Sequence, residues 1–148
     1  VSLVEQQCHL NENLLKQHQL SLHTTLAATD INCYVDESRI AQLIDNLLSN
    51  CIKYCGQGDK VHITVTQSEQ SAIICIEDSG PGVPKQALNQ LFDHLYRVEN
   101  SRNRNTGGSG LGLAICKRII EGHNGEISAK QSPLGGLRIE LTLPLATV

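Results

Sequence analysis

Residues 37–54 carry the pattern that most restricts what this chain can fold into. Ile40, Leu43, Ile44, Leu47, Leu48, Cys51 and Ile52 recur at spacings of three and four, which winds them onto one stripe of an α-helix. Asp36 in front of the run reads as its N-cap, and Gly56 and Gly58 behind it as its stop. The period then changes from helical to alternating. Val61, Ile63 and Val65 alternate with His62, Thr64 and Thr66, residues 72–77 add a second apolar run, and the segment from Gln67 to Gln70 closes a hairpin between them. A helix with a single apolar stripe followed by paired strands needs a layered fold in which the helix lies on a sheet.

The remaining segments extend that scheme. Val4, Cys8, Leu14, Leu15 and Leu20 keep an imperfect helical period and predict an N-terminal helix over residues 1–20 docked on the domain. Residues 21–28 and 31–35 predict two short strands around a turn at Thr29-Asp30. A short helix over 85–91 leads into a long polar loop, 97–108, and then a helix over 111–120 stopped by Gly122 or Asn124-Gly125. A strand over 126–130 and a hairpin turning at Leu134-Gly135-Gly136 complete the chain. The order predicts an α/β two-layer sandwich, a mixed sheet covered on one face by helices. At 148 residues and 40% hydrophobic content, residues 1–148 are expected to form a single domain.

A net charge of -3 provides no basic field of the kind that draws a protein to nucleic acid. The six cysteines, at positions 8, 33, 51, 55, 75 and 116, contain no CxxC pair and sit mostly in apolar runs, so they read as buried free thiols. Cys51 and Cys55 stand four apart, a spacing that also fits a metal or redox pair, although no third ligand suggests itself. His9, His18, His23, His62, His94 and His123 show no metal-ligand spacing and read as structural. The chain contains no methionine and no signal-peptide pattern, and none of its apolar runs approaches the ~20 residues that span a bilayer. It is therefore expected to be a soluble fragment of a longer protein, without membrane contact of its own.

Three segments carry chemistry. Asn46, Asn50 and Lys53 share one helix face opposite the leucine stripe, where two carboxamides and an ammonium suit a phosphate chain with a hydrated Mg²⁺. The same residues also suit an ordinary solvated face. The strand ending Ile76-Glu77-Asp78-Ser79-Gly80-Pro81-Gly82 places a carboxylate where it can accept from an amino group such as that of adenine, and Gly80 and Gly82 let a flat ring approach the backbone. A plain turn uses these residues too. Gly107-Gly108-Ser109-Gly110-Leu111-Gly112-Leu113 opens a helix, so its backbone N–H groups and the positive end of the helix dipole face an anion. It matches neither GxGxxG nor the P-loop, and a glycine hinge for the preceding loop explains it as well. Arg97, Arg102 and Arg104 flank or occupy that loop and either reach phosphate oxygens or remain solvated.

The order of these segments closely resembles the catalytic ATP-binding domain of sensor histidine kinases, with its Bergerat-type fold, in a superfamily shared with the gyrase, Hsp90 and MutL ATPases. The resemblance runs from Asp36 to the C-terminus. Asn46 to Tyr54 looks like the N box, Asp78 to Gly82 the first glycine box, Phe92 to Arg97 the F box, and Gly108 to Leu113 the second glycine box. It implies that ATP and Mg²⁺ bind here: Asn50 coordinates Mg²⁺ with Asn46 assisting, Lys53 contacts phosphate, Tyr54 stacks on adenine, and Asp78 accepts its amino group. Asn50 and Lys53 are the implied catalytic residues. Gly80, Gly82, Arg97, Arg102, Gly108, Ser109, Gly110, Leu111 and Gly112 complete the implied nucleotide contacts, and residues 97–108 the lid. Leu95 departs from the usual F-box Phe, which puts lid packing in doubt, and Cys51 replaces the usual Ala.

The resemblance also divides the superfamily. Gyrase-type ATPases place a glutamate that activates water where this chain has Asn46, and an amide cannot act as a general base. That favours transfer of the γ-phosphoryl group to a histidine on a separate dimerisation and phosphotransfer domain, whose sequence does not occur here. Implied partners are that domain and a downstream response regulator. The fragment is expected to be monomeric and cytoplasmic, and the full-length protein a homodimer anchored in the bacterial inner membrane. The competing readings are a gyrase- or Hsp90-type ATPase module, for which Asp45 and Glu77 are the nearby acids, and a non-enzymatic nucleotide-binding interaction module.

Overall fold

The structure, a computed structural model, describes residues 2–26, 31–80, 88, 92 and 112–146. Its elements in chain order are α1 (Ser2–Gln17), β1 (Ser21–Leu26), α2 (Glu37–Tyr54), β2 (Lys60–Gln67), β3 (Ser71–Asp78), α3 (Gly112–Gly122), β4 (Glu126–Gln131) and β5 (Leu137–Pro144). The helix that the sequence marks most strongly has the predicted bounds. Asp36 caps it in extended conformation, its carboxylate accepting from the N–H groups of Ser38 and Arg39. This satisfies donors that the first helical turn leaves unpaired.

The five strands form one mixed sheet in the order β1-β2-β3-β5-β4, with β1 parallel to β2 and every other pair antiparallel. Alternation along each strand assigns the two faces. Val61, Ile63 and Val65 of β2, Ile74 and Ile76 of β3, and Ile139, Leu141 and Leu143 of β5 point into one hydrophobic cluster. The same cluster takes Val4, Cys8 and Leu15 from α1, the stripe Ile40, Leu43, Ile44, Leu47, Leu48 and Cys51 from α2, and Cys116, Ile119 and Ile120 from α3. All three helices therefore cover the same face of the sheet. The intervening strand positions, among them Glu77, Arg138 and Glu140, fall on the other face. The α/β two-layer architecture expected from the sequence is the one found.

Two local expectations are corrected, and one open choice is decided. Residues 31–35 form no strand: their alternation is real, with Ile31, Cys33 and Val35 packed on the core, but the backbone runs as an extended strap. Alternating burial reports an extended chain with one face covered, and packing alone satisfies it without a hydrogen-bonded ladder. β1 instead pairs with β2, in parallel, from Ser21↔Lys60 to Leu26↔Val65. Helix α2 does not stop on a left-handed glycine. Cys55 closes it in extended conformation, φ -84° and ψ 150°, while Gly58, at φ 87°, serves the following turn. The stop after α3 is made by Asn124, at φ 62°, with Gly125 donating its N–H to the Ile120 carbonyl at 2.9 Å. Apart from Leu88, the short helix expected over 85–91 lies outside the described residues, as do the turn at Thr29-Asp30 and the loop 97–108.

Candidate functional site

Asp78 is the last residue of β3, and the alternation that sends Ile74 and Ile76 into the core sends its carboxylate to the helix-covered side of the sheet. It is 9% exposed. Its Oδ1 accepts the N–H of Gly80 at 3.0 Å and the N–H of Leu137 at 3.2 Å. Burial pushes the carboxyl above its ordinary value of 3.8, while the hydrogen bonds from Leu137 and Gly80 pull the other way. A carboxylate offers about four acceptor positions. Two backbone donors, both on Oδ1, therefore leave acceptor positions for a ligand.

The turn between β4 and β5 clamps this acid. Gly136 donates its N–H to the Asp78 carbonyl at 3.2 Å, next to the Leu137 bond to the carboxylate. A Cβ on Gly136 would collide with Oδ1 and the carbonyl oxygen of Asp78, so only glycine permits the approach. Ser132 shapes the turn: its N–H bonds to the Gly136 carbonyl at 2.7 Å, and its buried hydroxyl donates to Glu77 Oε2 at 2.8 Å. These supporting residues were not identified as site residues from the sequence. The one available signal was the glycine pair: Gly135 takes the left-handed conformation, φ 106°, that a tight turn needs, and Gly136 is then a second glycine that the turn geometry alone does not demand.

Helices α2 and α3 run antiparallel. At one end the Asp36 N–H donates to His123 Nε2 at 3.0 Å; further along, the Cys116 thiol meets the Leu43 carbonyl at 3.7 Å and the Asn46 side chain. His123 also hydrogen-bonds through Nδ1 to the Ile119 carbonyl at 2.8 Å, a helix-joining role that matches its structural reading. Gly112, the first residue of α3, precedes Cys116 by one helical turn of about 5 Å. The antiparallel run thus brings it level with the C-terminal half of α2, where Asn50 is half-buried and Lys53 exposed. Below them, Cys51 and Cys55 at the end of α2 lie against Asp78. The strand-end acid, the polar face of α2 and the N-terminus of α3 therefore converge on one end of the sheet.

Neither Asp45 nor Glu77, the acids that the sequence offers for hydrolysis, faces that convergence. Asp45 Oδ1 accepts from Gln7 Nε2 and Asn11 Nδ2, each at 2.9 Å, so its carboxylate is tied to α1. Glu77 belongs to the opposite face of the sheet, where it takes the Ser132 hydroxyl and pairs with Arg138 Nη1 at 3.5 Å. Of the sequence-derived site residues, Asn46, Asn50, Lys53, Asp78 and Gly112 fall within these elements, and Gly80 follows β3 directly after Ser79. Tyr54 ends α2, but its side chain lies outside the described residues. So do Gly82, Arg97, Arg102, Gly108, Ser109, Gly110 and Leu111.

Residues 35–147 match the family described as histidine kinase-, DNA gyrase B- and HSP90-like ATPases. The chain belongs to this family. Within it, the chain resembles the catalytic ATP-binding domains of sensor histidine kinases. The signal transduction histidine-protein kinase BaeS of Escherichia coli (strain K12) is 46% identical over 115 residues, covering 78% of this chain and 25% of BaeS. The mycobacterial sensor histidine kinase MprB has the same fold at a TM-score of 0.84 and 25% identity, over 99% of this chain and 96% of that one. The histidine kinase ThkA, solved in complex with the response regulator protein TrrA, shares the fold at a TM-score of 0.81 and 23% identity, over 98% of this chain and 40% of that one. The chain spans about a quarter of the length of the curated relatives it matches. The part matching the family begins one residue before the Asp36 cap and takes in every site residue named above, leaving α1 and β1 outside it.

Proposed function

We propose that this histidine kinase-like domain binds ATP with Mg²⁺ and holds the γ-phosphoryl group in line for a histidine on a separate dimerisation and phosphotransfer domain of its own kinase. Asp78 accepts the exocyclic amine of adenine at a remaining acceptor position, Tyr54 stacks on the ring, and Gly80 and Gly82 let the base approach the backbone. Asn50 ligates Mg²⁺ with Asn46 assisting, and Lys53 contacts phosphate. The N–H groups of Gly108, Ser109, Gly110, Leu111 and Gly112, at the positive end of α3, meet the phosphate chain. Arg97 and Arg102, from the lid 97–108, add positive charge there. Bound Mg²⁺ supplies charge neutralisation across the phosphates.

One observation carries the choice of kinase over ATPase. Asp45 is held by α1 and Glu77 lies on the far face of the sheet, so neither acid weighed for hydrolysis reaches the Asn50 side. Asn46, which touches Cys116 on α3, is an amide and cannot take a proton from water. Catalysis then rests on positioning and charge stabilisation, which suits delivery to an acceptor imidazole.

The full-length protein is proposed to be a homodimeric sensor kinase anchored in the bacterial inner membrane, with this part on the cytoplasmic side and a response regulator as its downstream partner. The ThkA complex with a response regulator and the sensor kinases among the relatives support that scheme. Among the described residues no helix is long and apolar enough to cross a membrane. Nucleic acid and the membrane surface are not proposed as ligands of this part. A structure with a non-hydrolysable ATP analogue and Mg²⁺ tests the site as a whole. The amine should lie against Asp78 and the metal against Asn50; nucleotide bound elsewhere, or no binding at millimolar ligand, contradicts the reading.

A further inference from the structure

We infer that Ser132 is a positioning residue for adenine recognition: anchored to Glu77 on the sheet face opposite the helices, it sets the turn whose N–H groups hold Asp78 on the other face. The inference rests on the nucleotide-binding reading above. The ladder between β3 and β5 ends at the pair Glu77↔Arg138, so Asp78 lies one residue past the last regular pairing. The turn between β4 and β5 holds it there instead. The Gly136 N–H reaches its carbonyl and the Leu137 N–H its Oδ1, each at 3.2 Å. Both contacts lie at the long end of the N–H···O range, so they follow the turn more than they fix it.

The bonds that fix the turn are shorter and centre on Ser132. Its N–H reaches the Gly136 carbonyl at 2.7 Å, its carbonyl takes the Gly135 N–H at 3.0 Å, and its Oγ takes the Leu134 N–H at 3.0 Å. A turn tied only to itself can still pivot on its two strands. The external anchor is the Ser132 hydroxyl, which donates to Glu77 Oε2 at 2.8 Å, with both residues buried. Hydrogen bonds to a carboxylate are among the stronger ones. Glu77 is held in turn, its Oε1 lying 3.5 Å from Arg138 Nη1. Successive strand residues point to opposite faces, so Glu77 and Asp78 grip one turn from two sides. Releasing the Glu77 side moves the Gly136 and Leu137 donors, and with them the carboxylate they orient toward the amine. Satisfying a buried acid is the plainer role for Ser132, and it predicts lost stability without lost selectivity for the amine.

The test crosses S132A, E77A and the double variant with two ligands, ATP and purine riboside triphosphate, which lacks the exocyclic amine. Binding of each is measured by calorimetry on the 148-residue chain, below its melting temperature. S132A should bind ATP about fivefold more weakly than wild type, the size of one modest hydrogen bond, because the acid is displaced and not removed. Purine riboside triphosphate should bind wild type and S132A alike. E77A should show the same selective loss, and the double variant should lose no more than E77A alone, since both changes break one bond. Unchanged ATP binding by S132A overturns the inference. Equal loss for both ligands assigns Ser132 to stability alone and overturns it as well, as do losses that multiply in the double variant. If E77A does not fold, S132A with the two ligands decides. If the wild-type chain binds neither nucleotide, the nucleotide-binding reading itself has failed.

Discussion

Replacing Asp78 by asparagine separates recognition from folding, because the substitution keeps the volume and the acceptor oxygen while removing the charge. In the structure Oδ1 serves the Gly80 and Leu137 N–H groups at 3.0 and 3.2 Å, and an asparagine Oδ1 can keep both. The second oxygen becomes an NH₂ donor, which opposes the amine donor of adenine. Loss of one charge-assisted hydrogen bond, about 1.5 to 3 kcal/mol, corresponds to ~10- to 150-fold weaker ATP binding. Stability should move differently. Burial raises the Asp78 pKa, so its ionised form penalises the folded state above the folded pKa, and the penalty disappears as pH falls through that value. Asn carries no such penalty, and D78N should melt at the same temperature as wild type or higher at pH 7. Calorimetric titration with ATP and a thermal melt on the same preparation decide the matter. An unchanged isotherm removes Asp78 from the site, and a marked drop in melting temperature makes it a folding residue instead.

Two further outcomes follow from the same geometry. ATP affinity of the wild type should fall on acidification at a pH above 3.8, the ordinary carboxyl value, because Asp78 takes up a proton early; D78N provides the baseline for protonation of the nucleotide, and superimposable pH profiles would exclude Asp78 as the titrating group. Gly136→Ala forces a Cβ into Asp78 Oδ1 and its carbonyl, so urea denaturation should show a loss of about 1 to 3 kcal/mol, accompanied by weaker ATP binding; wild-type values for both would mean that the turn yields without disturbing the acid.

Locally encoded features could be read from the sequence. The bounds of α2 follow from an apolar stripe and a capping aspartate within a few residues of it, β2 from an alternation that one buried face enforces, and β3 from a short apolar run. The parallel pairing of β1 with β2 could not be read, since it joins segments separated by a whole helix and carries no turn signature. The 31–35 strap shows the converse: its pattern was correct, but whether an extended segment joins a sheet depends on free neighbours elsewhere. At the site, Asp78 is legible as an acid at a strand end before a glycine turn. Its partner from the far strand is not: Leu137 is 59 residues away. The orientation of Asp45 and Glu77 also required the fold, because a sequence lists nearby acids without saying which face they occupy.

The central claim is that this domain readies ATP for an acceptor outside the chain instead of hydrolysing it. Its most direct test follows γ-labelled ATP with the chain alone and with the separate dimerisation and phosphotransfer domain of its kinase. Acid-labile phosphohistidine on the added domain, with little phosphate released in its absence, is the predicted result. Rapid phosphate release by the chain alone, or stoichiometric phosphohistidine on the chain itself, contradicts the account.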